Sequence, residues 1–152
     1  MSATEQNLTA MHAEVKAEIA RTDTKTGLLL AFVGAVLAGA WSVARDLPLN
    51  LAAYIIGGLG LAVLVTAAGL LLRSTRPNVR GRHGFPLWAT LTTDEITTAA
   101  ASRDLSADVA GLSRLAVVKF AHLRRAIDLT YAGGALLILA ALAALLTLGG
   151  AA

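Results

Sequence analysis

The chain has no cysteine and little charge. Charged residues make up only 15% of its 152 positions, against about 25% in a typical soluble domain. The lack of cysteine excludes disulfides, thiolate metal sites and cysteine nucleophiles. The three histidines lie far apart and show no metal-ligand spacing: His12, His83 and His122. With 56% hydrophobic residues, the composition is unlike that of an ordinary soluble globule.

The sequence also lacks the motifs of the common enzyme classes. It contains no HExxH metal motif, no GxSxG nucleophile turn and no phosphate loop. A chain of this length with several long apolar segments leaves little room for an active-site domain. We therefore expect a protein that is not an enzyme and that carries no cofactor or metal.

Three long stretches contain no charged residue, namely 26–44, 47–72 and 129–152. A helix that crosses a bilayer needs about 20 mainly apolar residues, and each stretch is close to that length or longer. We predict transmembrane helices over 26–44, 51–72 and 129–148. The expected fold class is an all-α membrane protein with three spans.

The placement of Arg and Lys predicts the orientation in the membrane. Of the 13 basic residues, 12 lie in the segments 1–25 and 73–128, and only Arg45 lies between the first two spans. Because cytosolic segments carry the excess of basic residues, the N-terminus is predicted to be cytosolic and the C-terminus to be outside. Trp41 and Tyr54 flank the short outer turn, as interfacial aromatic residues do.

Two helical extensions are predicted on the cytosolic side. In segment 1–25, apolar residues recur at helical spacing without an intervening Pro or Gly, so this helix should continue into the first span: Leu8, Met11, Val15 and Ile19. A second helical stripe should run into the third span: Val109, Leu112, Ala116, Phe120, Leu123 and Ile127. Packing within one subunit or between subunits would bury either stripe.

Segment 73–128 is predicted to contain a basic loop followed by two helices. Thr92 and Glu95 have the spacing of a capping box, which predicts a helix from there to about Arg103. Ser106 is the expected cap of the next helix. The loop itself, 73–91, carries four arginines and no acid.

The loop arginines have two possible roles. Arg73 and Arg76 adjoin a span, where arginines fix topology and contact anionic lipid headgroups. Arg80 and Arg82 lie further out beside two glycines, and arginine forks with glycine amides suit a phosphate. Either role remains open for this pair.

Small residues on the first span predict close helix packing. They occur at every fourth position: Gly27, Ala31, Ala35 and Gly39. Gly58 and Ala62 form a shorter version on the second span. We expect a homo-oligomer that uses the first of these faces. No charge lies deep in a span, which argues against an ion-coupled transporter.

Charged residues also occur where the first and third spans begin. Asp23 lies between Arg21 and Lys25, and Asp128 follows Arg124 and Arg125. Either acid can form an interfacial ion pair or contact a ligand; Lys25 belongs to the same interfacial group.

The chain resembles the membrane effectors of bacterial Pycsar (pyrimidine cyclase) antiphage systems. The matching segments are 21–30 entering span one, 76–77, 85–88, 112–114 and 119–128 entering span three, and the resemblance extends from about residue 8 to 146. The family pattern around the first acid reads Ala-Asp-x-Lys-Ala, and this chain has Thr22 and Thr26 in place of the alanines.

This resemblance implies a function. In such systems a neighbouring cyclase makes cyclic CMP (cCMP) or cyclic UMP (cUMP) on infection, and the effector senses the nucleotide and damages the inner membrane. The implied partners are the lipid bilayer, the cyclic nucleotide and a cyclase, with no nucleic acid. The implied location is the bacterial inner membrane. The alternatives are a non-enzymatic structural or assembly subunit of a membrane complex, and a small pore that needs no ligand.

A cyclic nucleotide offers one negative charge and a planar base. Arg forks, a basic amine and stackable rings are the groups that suit it. On these chemical grounds the candidate ligand residues are Arg76, Arg80, Arg82, His83 and Trp88, with Lys119 and Arg124 as the alternative phosphate site.

Overall fold

The protein is described by a computed structural model that covers residues 2–46, 49–76, 85–102 and 104–149. These ranges contain the helices α1 (Ala3–Asp46), α2 (Leu51–Thr75), α3 (Phe85–Trp88), α4 (Thr93–Ala101) and α5 (Leu105–Gly149). No strand occurs within them. The predicted all-α fold is confirmed.

The three long helices α1, α2 and α5 are long and apolar enough to cross a membrane. The first and the last have 44 and 45 residues and pass without interruption from a polar extension into an apolar segment. Neither contains proline, which would remove a backbone donor inside the helix. The predicted helical extensions of spans one and three are therefore confirmed.

The start of α4 is the predicted capping box. The Glu95 carboxylate accepts a hydrogen bond from the Thr92 backbone N–H at 2.8 Å, and the Thr92 hydroxyl accepts one from the Glu95 N–H. The Thr92 backbone donor, followed by its hydroxyl, lowers the pKa of Glu95. Because the pKa is lowered by folding, the cap contributes fully at a pH above the pKa of Glu95 in the unfolded state. Its contribution is lost as the pH falls through the pKa of Glu95 in the folded state.

The predicted cap of α5 is wrong by two residues. The helix begins at Leu105, and the carboxylate of Asp104 accepts hydrogen bonds from the backbone N–H groups of Ser106 and Ala107. Aspartate is a strong N-cap because its oxygen satisfies donors that have no partner inside the helix. The Ser106 hydroxyl, followed by the Ala107 backbone, lowers the pKa of Asp104.

Two further details differ from the sequence prediction. Residues 85–88, expected in a loop, form the single helical turn α3. In the N-terminal stripe, Met11 is 49% exposed, whereas His12 is half-buried together with Leu8 and Val15. The covered face therefore runs through Leu8, His12 and Val15, with spacings of 4 and 3. At this turn it contains His12 where the sequence predicted Met11.

The chain forms two compact units. Unit 1 comprises Met1–Ala20 and Arg76–Val117, and unit 2 comprises Arg21–Thr75 and Val118–Ala152. Within unit 2, buried positions recur every seven residues, at Ala53, Gly60 and Ala67 of α2 and at Ala126, Gly133 and Ala140 of α5. A seven-residue repeat keeps one helix face against its neighbour, as in a coiled coil.

α2 and α5 approach each other closely at Gly60 and Gly133. A Cβ atom added at Gly133 would lie 2.7 Å from Leu64 Cγ and 3.1 Å from the Gly60 carbonyl oxygen. Glycine at both positions therefore allows the two backbones to approach more closely than any side chain would permit. Small residues are the usual means of packing helices where there is no hydrophobic driving force between them.

A second contact joins the same helices near the start of α2. The Asn50 side-chain oxygen accepts a hydrogen bond from the Ala53 backbone N–H at 2.6 Å, and its amide nitrogen donates to the Ala143 carbonyl oxygen at 2.9 Å. One side chain thus caps α2 and bonds the backbone of α5.

Candidate functional site

An ion pair joins α1 to α5 where their apolar segments begin. Lys119 Nζ donates to Asp23 Oδ1 at 2.6 Å, and the two residues are 96 positions apart in sequence. The Lys119 side chain is 18% exposed and that of Asp23 is 45% exposed. The sequence suggested ion pairing of Asp23 with its basic neighbours on α1; the structure adds a partner from a different helix.

Two buried threonines place Asp23 on this face of α1. Thr22 and Thr26 are each 1% exposed, and the Thr26 hydroxyl donates to the Thr22 carbonyl oxygen at 2.8 Å. They are the positions at which this sequence has Thr in place of the Ala of the resembling pattern. Burial favours small residues at both positions, and the hydrogen bond to the Thr22 carbonyl oxygen satisfies the buried Thr26 hydroxyl.

A compact apolar cluster lies next to the ion pair. Leu71 of α2 packs with Leu123 and Ala126 of α5, and Leu29 and Leu30 of α1 contact the same cluster. Leu123 is one helical turn from Lys119, so the ion pair and the apolar cluster are adjacent on α5. All three spanning helices therefore meet at this level of unit 2.

The ion pair contributes little to the stability of the fold, but it joins two particular residues of α1 and α5. A pair with a half-exposed carboxylate contributes about 0–1 kcal/mol, because solvent screens it and ordering two side chains costs entropy. An anion competing for Lys119 would have to displace Asp23. Such a displacement would remove a direct contact between α1 and α5, which is the kind of differential interaction by which a ligand shifts an equilibrium.

The candidate ligand residues are divided between the two units. Arg76 and Trp88 belong to unit 1, where Arg76 is exposed and Trp88 is 45% exposed. Lys119 and Arg124 belong to unit 2; the former bonds Asp23 and the latter is exposed. Three further candidates, Arg80, Arg82 and His83, lie outside the described residues.

The other predicted site residues are on the surface of the single chain. Lys25 and Asp128 are exposed. The small residues of α1 are exposed as well, and Cβ atoms added at Gly27 or Gly39 would meet nothing within 4 Å. This face, formed by Gly27, Ala31, Ala35 and Gly39, makes no close packing contact at its two glycines.

Sequence interpretation missed the glycines that do pack within the chain. It selected Gly58 and Ala62 on the second span, but both are exposed and a Cβ at Gly58 would meet nothing within 4 Å. The packed glycine is Gly60. The apolar residues Leu64, Ala67 and Leu71 follow Gly60 at helical spacings of 4, 3 and 4. This spacing was the signal that could have identified the packed face.

In the described ranges, no group of three or more His, Asp or Glu residues is arranged to hold a metal ion.

The chain matches a known protein family over nearly its whole length. A family model described as "PycTM: Pycsar effector protein domain" matches residues 7–147. No curated protein and no solved structure matches the chain. The matched range includes all of α2, α3 and α4, the whole of the Asp23–Lys119 site and most of the two longest helices.

Proposed function

Since this match covers residues 7–147, the chain belongs to the Pycsar effector family, and we propose that a cyclic pyrimidine nucleotide, cCMP or cUMP, activates it to impair the bacterial inner membrane. Family membership supports an antiphage effector role and implies pairing with a cyclase system. The observation that carries the proposal is a Pycsar effector domain built on three helices that are each able to span a membrane.

The effector acts without catalysis, and its action kills the infected cell. An α-helical bundle in lipid harms a cell by rearranging its own helices, because a changed packing opens a pore or disturbs the surrounding bilayer. The contacts available for such a rearrangement are the Asp23–Lys119 ion pair and the Gly60–Gly133 approach. The first is partly exposed and weak, and so is the easier of the two to release.

The nucleotide binds the basic loop. Lys119 is 18% exposed and bonds the Asp23 carboxylate, which disfavours it as the primary phosphate contact. Arg76 and Trp88 are exposed and belong to the loop, on either side of Arg80, Arg82 and His83 in sequence. The proposed contacts are Arg80 and Arg82 with the phosphate, and Trp88 or His83 with the base, since arginine forks suit phosphate and aromatic faces suit a planar ring.

The test is titration of the purified protein with cUMP and cCMP by isothermal calorimetry, with linear UMP and CMP as controls. Saturable binding of one cyclic nucleotide in preference to its linear form supports the proposal. If the protein binds neither cyclic nucleotide, the signalling role is refuted. Binding without any effect on membranes would instead refute only the membrane-impairing half of the proposal.

The N-terminus lies in the cytosol and the C-terminus lies outside. The support is the distribution of basic residues, 12 of 13 of which lie in the segments 1–25 and 73–128, since cytosolic segments carry the excess of Lys and Arg. An alkaline phosphatase reporter fused after Ala152 should be active, and the same reporter fused after Thr90 should be inactive. The reverse pattern of activities would refute this orientation.

The effector is a homo-oligomer that packs through the small-residue face of α1. Within the most apolar window of α1 only 6% of residues are buried, against 22% in both α2 and α5, so α1 has the most surface left for a second copy. Gly27 and Gly39 have open space where a backbone from another subunit could approach.

Replacing Ala31 and Ala35 by isoleucine should lower the mass of the protein in detergent, because the larger side chains keep the helices apart. Light scattering after size exclusion measures that mass. The control is Ala132→Ile/Ala135→Ile, which makes the same change at exposed alanines of α5. An unchanged mass of the α1 variant, or an equal loss in the control, would count against this interface.

A further inference from the structure

One end of unit 2 carries a group of exposed cationic side chains, which we call the basic collar. It consists of Arg21 and Lys25 of α1, Arg73 of α2, and Arg124 and Arg125 of α5. These residues are far apart in sequence, and no single segment of the chain carries more than two of them.

Contacts within unit 2 bring the members of the basic collar to one level. Asp23 lies between the two α1 members of the collar and bonds Lys119 at 2.6 Å. Lys119 lies a little over one helical turn before the two α5 members. Leu71 packs with Leu123 and Ala126, which stand on either side of the same α5 pair. Arg73 is two residues after Leu71. These contacts therefore place five cations of three helices within about three helical turns of one another along the helix axes.

The basic collar is strongly unbalanced in charge. Asp23 bonds Lys119, and Arg21 has an interaction of its own within one turn of Glu18, so neither is counted. The other four cations, set against Asp128, keep a net charge of +3. At the opposite end of α1, Arg45 is followed directly by Asp46 and the two charges cancel. The sequence shows four arginines without an acid in the loop 73–91. The fold shows a second excess of positive charge in unit 2, and Arg73 belongs to both groups.

Large apolar side chains are exposed directly beside the basic collar. Leu72 is 56% exposed, Leu28 is 69% exposed and Tyr131 is 75% exposed. They lie within about two turns of Arg73, Lys25 and Arg125 respectively, on the side of the apolar spans. A small soluble anion would use only the cations, whereas a molecule with a charged head and an apolar tail would contact both surfaces.

We propose that the basic collar is a binding surface for anionic phospholipids, with the lipid phosphate on the Arg and Lys side chains and the acyl chains along the adjoining apolar residues. Arg124 and Arg125 are the central pair because they are adjacent on α5 and their helix also carries the contacts to α1 and α2. The lipid thus bridges residues of different helices near the ion pair. This inference is independent of nucleotide binding.

The test is titration of the full chain in neutral micelles with short-chain phosphatidylglycerol and with phosphatidylcholine of the same chain length, with bound lipid counted by native mass spectrometry. Wild type should prefer phosphatidylglycerol. Arg124→Gln/Arg125→Gln should reduce its affinity for that lipid about thirtyfold, since each basic residue near the headgroups contributes roughly a factor of five. Arg124→Lys/Arg125→Lys keeps the charge and should retain the preference.

The matched control is Arg45→Gln/Arg114→Gln, which removes two exposed arginines outside the basic collar and should leave the preference unchanged. Circular dichroism establishes that each variant retains its helices. Equal binding of the two lipids by wild type, or an equal loss of preference in the control, would overturn the proposal. Displacement of phosphatidylglycerol by millimolar glycerol 3-phosphate would show a site for a soluble anion and would also overturn it.

Discussion

Gly133→Ala is expected to destabilise the protein by about 1–3 kcal/mol, because the added methyl group overpacks the contact between α2 and α5. The new Cβ would lie 2.7 Å from Leu64 Cγ and 3.1 Å from the Gly60 carbonyl oxygen. The first of these atoms is close to the backbone of α2 and the second belongs to it, so relief requires the helices to separate. Unfolding in detergent, followed by circular dichroism, measures the change.

The neighbouring glycine supplies the control for this prediction. A Cβ at Gly134 would meet nothing within 4 Å. Gly134→Ala should therefore be neutral or stabilise the helix by about 0.5–1 kcal/mol through the lower backbone entropy of alanine. The two substitutions are chemically identical and adjacent, and the structure predicts a loss of stability for Gly133→Ala alone. Equal stabilities of the two variants would contradict the observed helix contact.

Arg80→Ala/Arg82→Ala is expected to weaken nucleotide binding by a factor of roughly ten to more than a hundred. The physical reason is the loss of a charge-assisted hydrogen bond to the phosphate, which contributes about 1.5–3 kcal/mol. The measurement is the same calorimetric titration, carried out on the double variant and on wild type.

The control for the loop variant is Arg124→Ala, which removes the cation at the alternative phosphate site while leaving the loop intact. If the loop holds the phosphate, Arg124→Ala binds the nucleotide with nearly wild-type affinity. Wild-type affinity of the loop variant, together with a large loss for Arg124→Ala, would move the phosphate to the Lys119–Arg124 region. The two variants therefore distinguish between two phosphate sites. Whether the protein binds a cyclic nucleotide at all is decided by the wild-type titration.

Much of the fold could be predicted because it depends on local signals. The length of each uncharged stretch gave the three spans, and the capping residues Thr92 and Glu95 gave the start of α4 within one residue. The continuity of α1 and α5 followed from helical periodicity without proline. These properties are determined by neighbours in sequence, so no tertiary information was needed.

The contacts between helices could not be predicted in the same way. Asp23 has basic neighbours on α1, and nothing local indicates that Lys119, 96 residues away, lies 2.6 Å from it. The most regular small-residue pattern, from Gly27 to Gly39, is exposed, whereas the less regular Gly60 and Gly133 make the close approach. Which face meets which neighbour depends on the rotation of each helix, and a single-helix pattern does not contain that rotation.

The most direct test of the central claim is leakage of a trapped fluorescent dye from liposomes that contain the purified protein. Addition of cUMP or cCMP should release the dye within minutes, linear UMP or CMP should not, and liposomes without protein should stay intact. That result is expected if the chain is a membrane effector gated by a cyclic pyrimidine nucleotide. Dye retention with either cyclic nucleotide, by protein that binds it, would contradict the account.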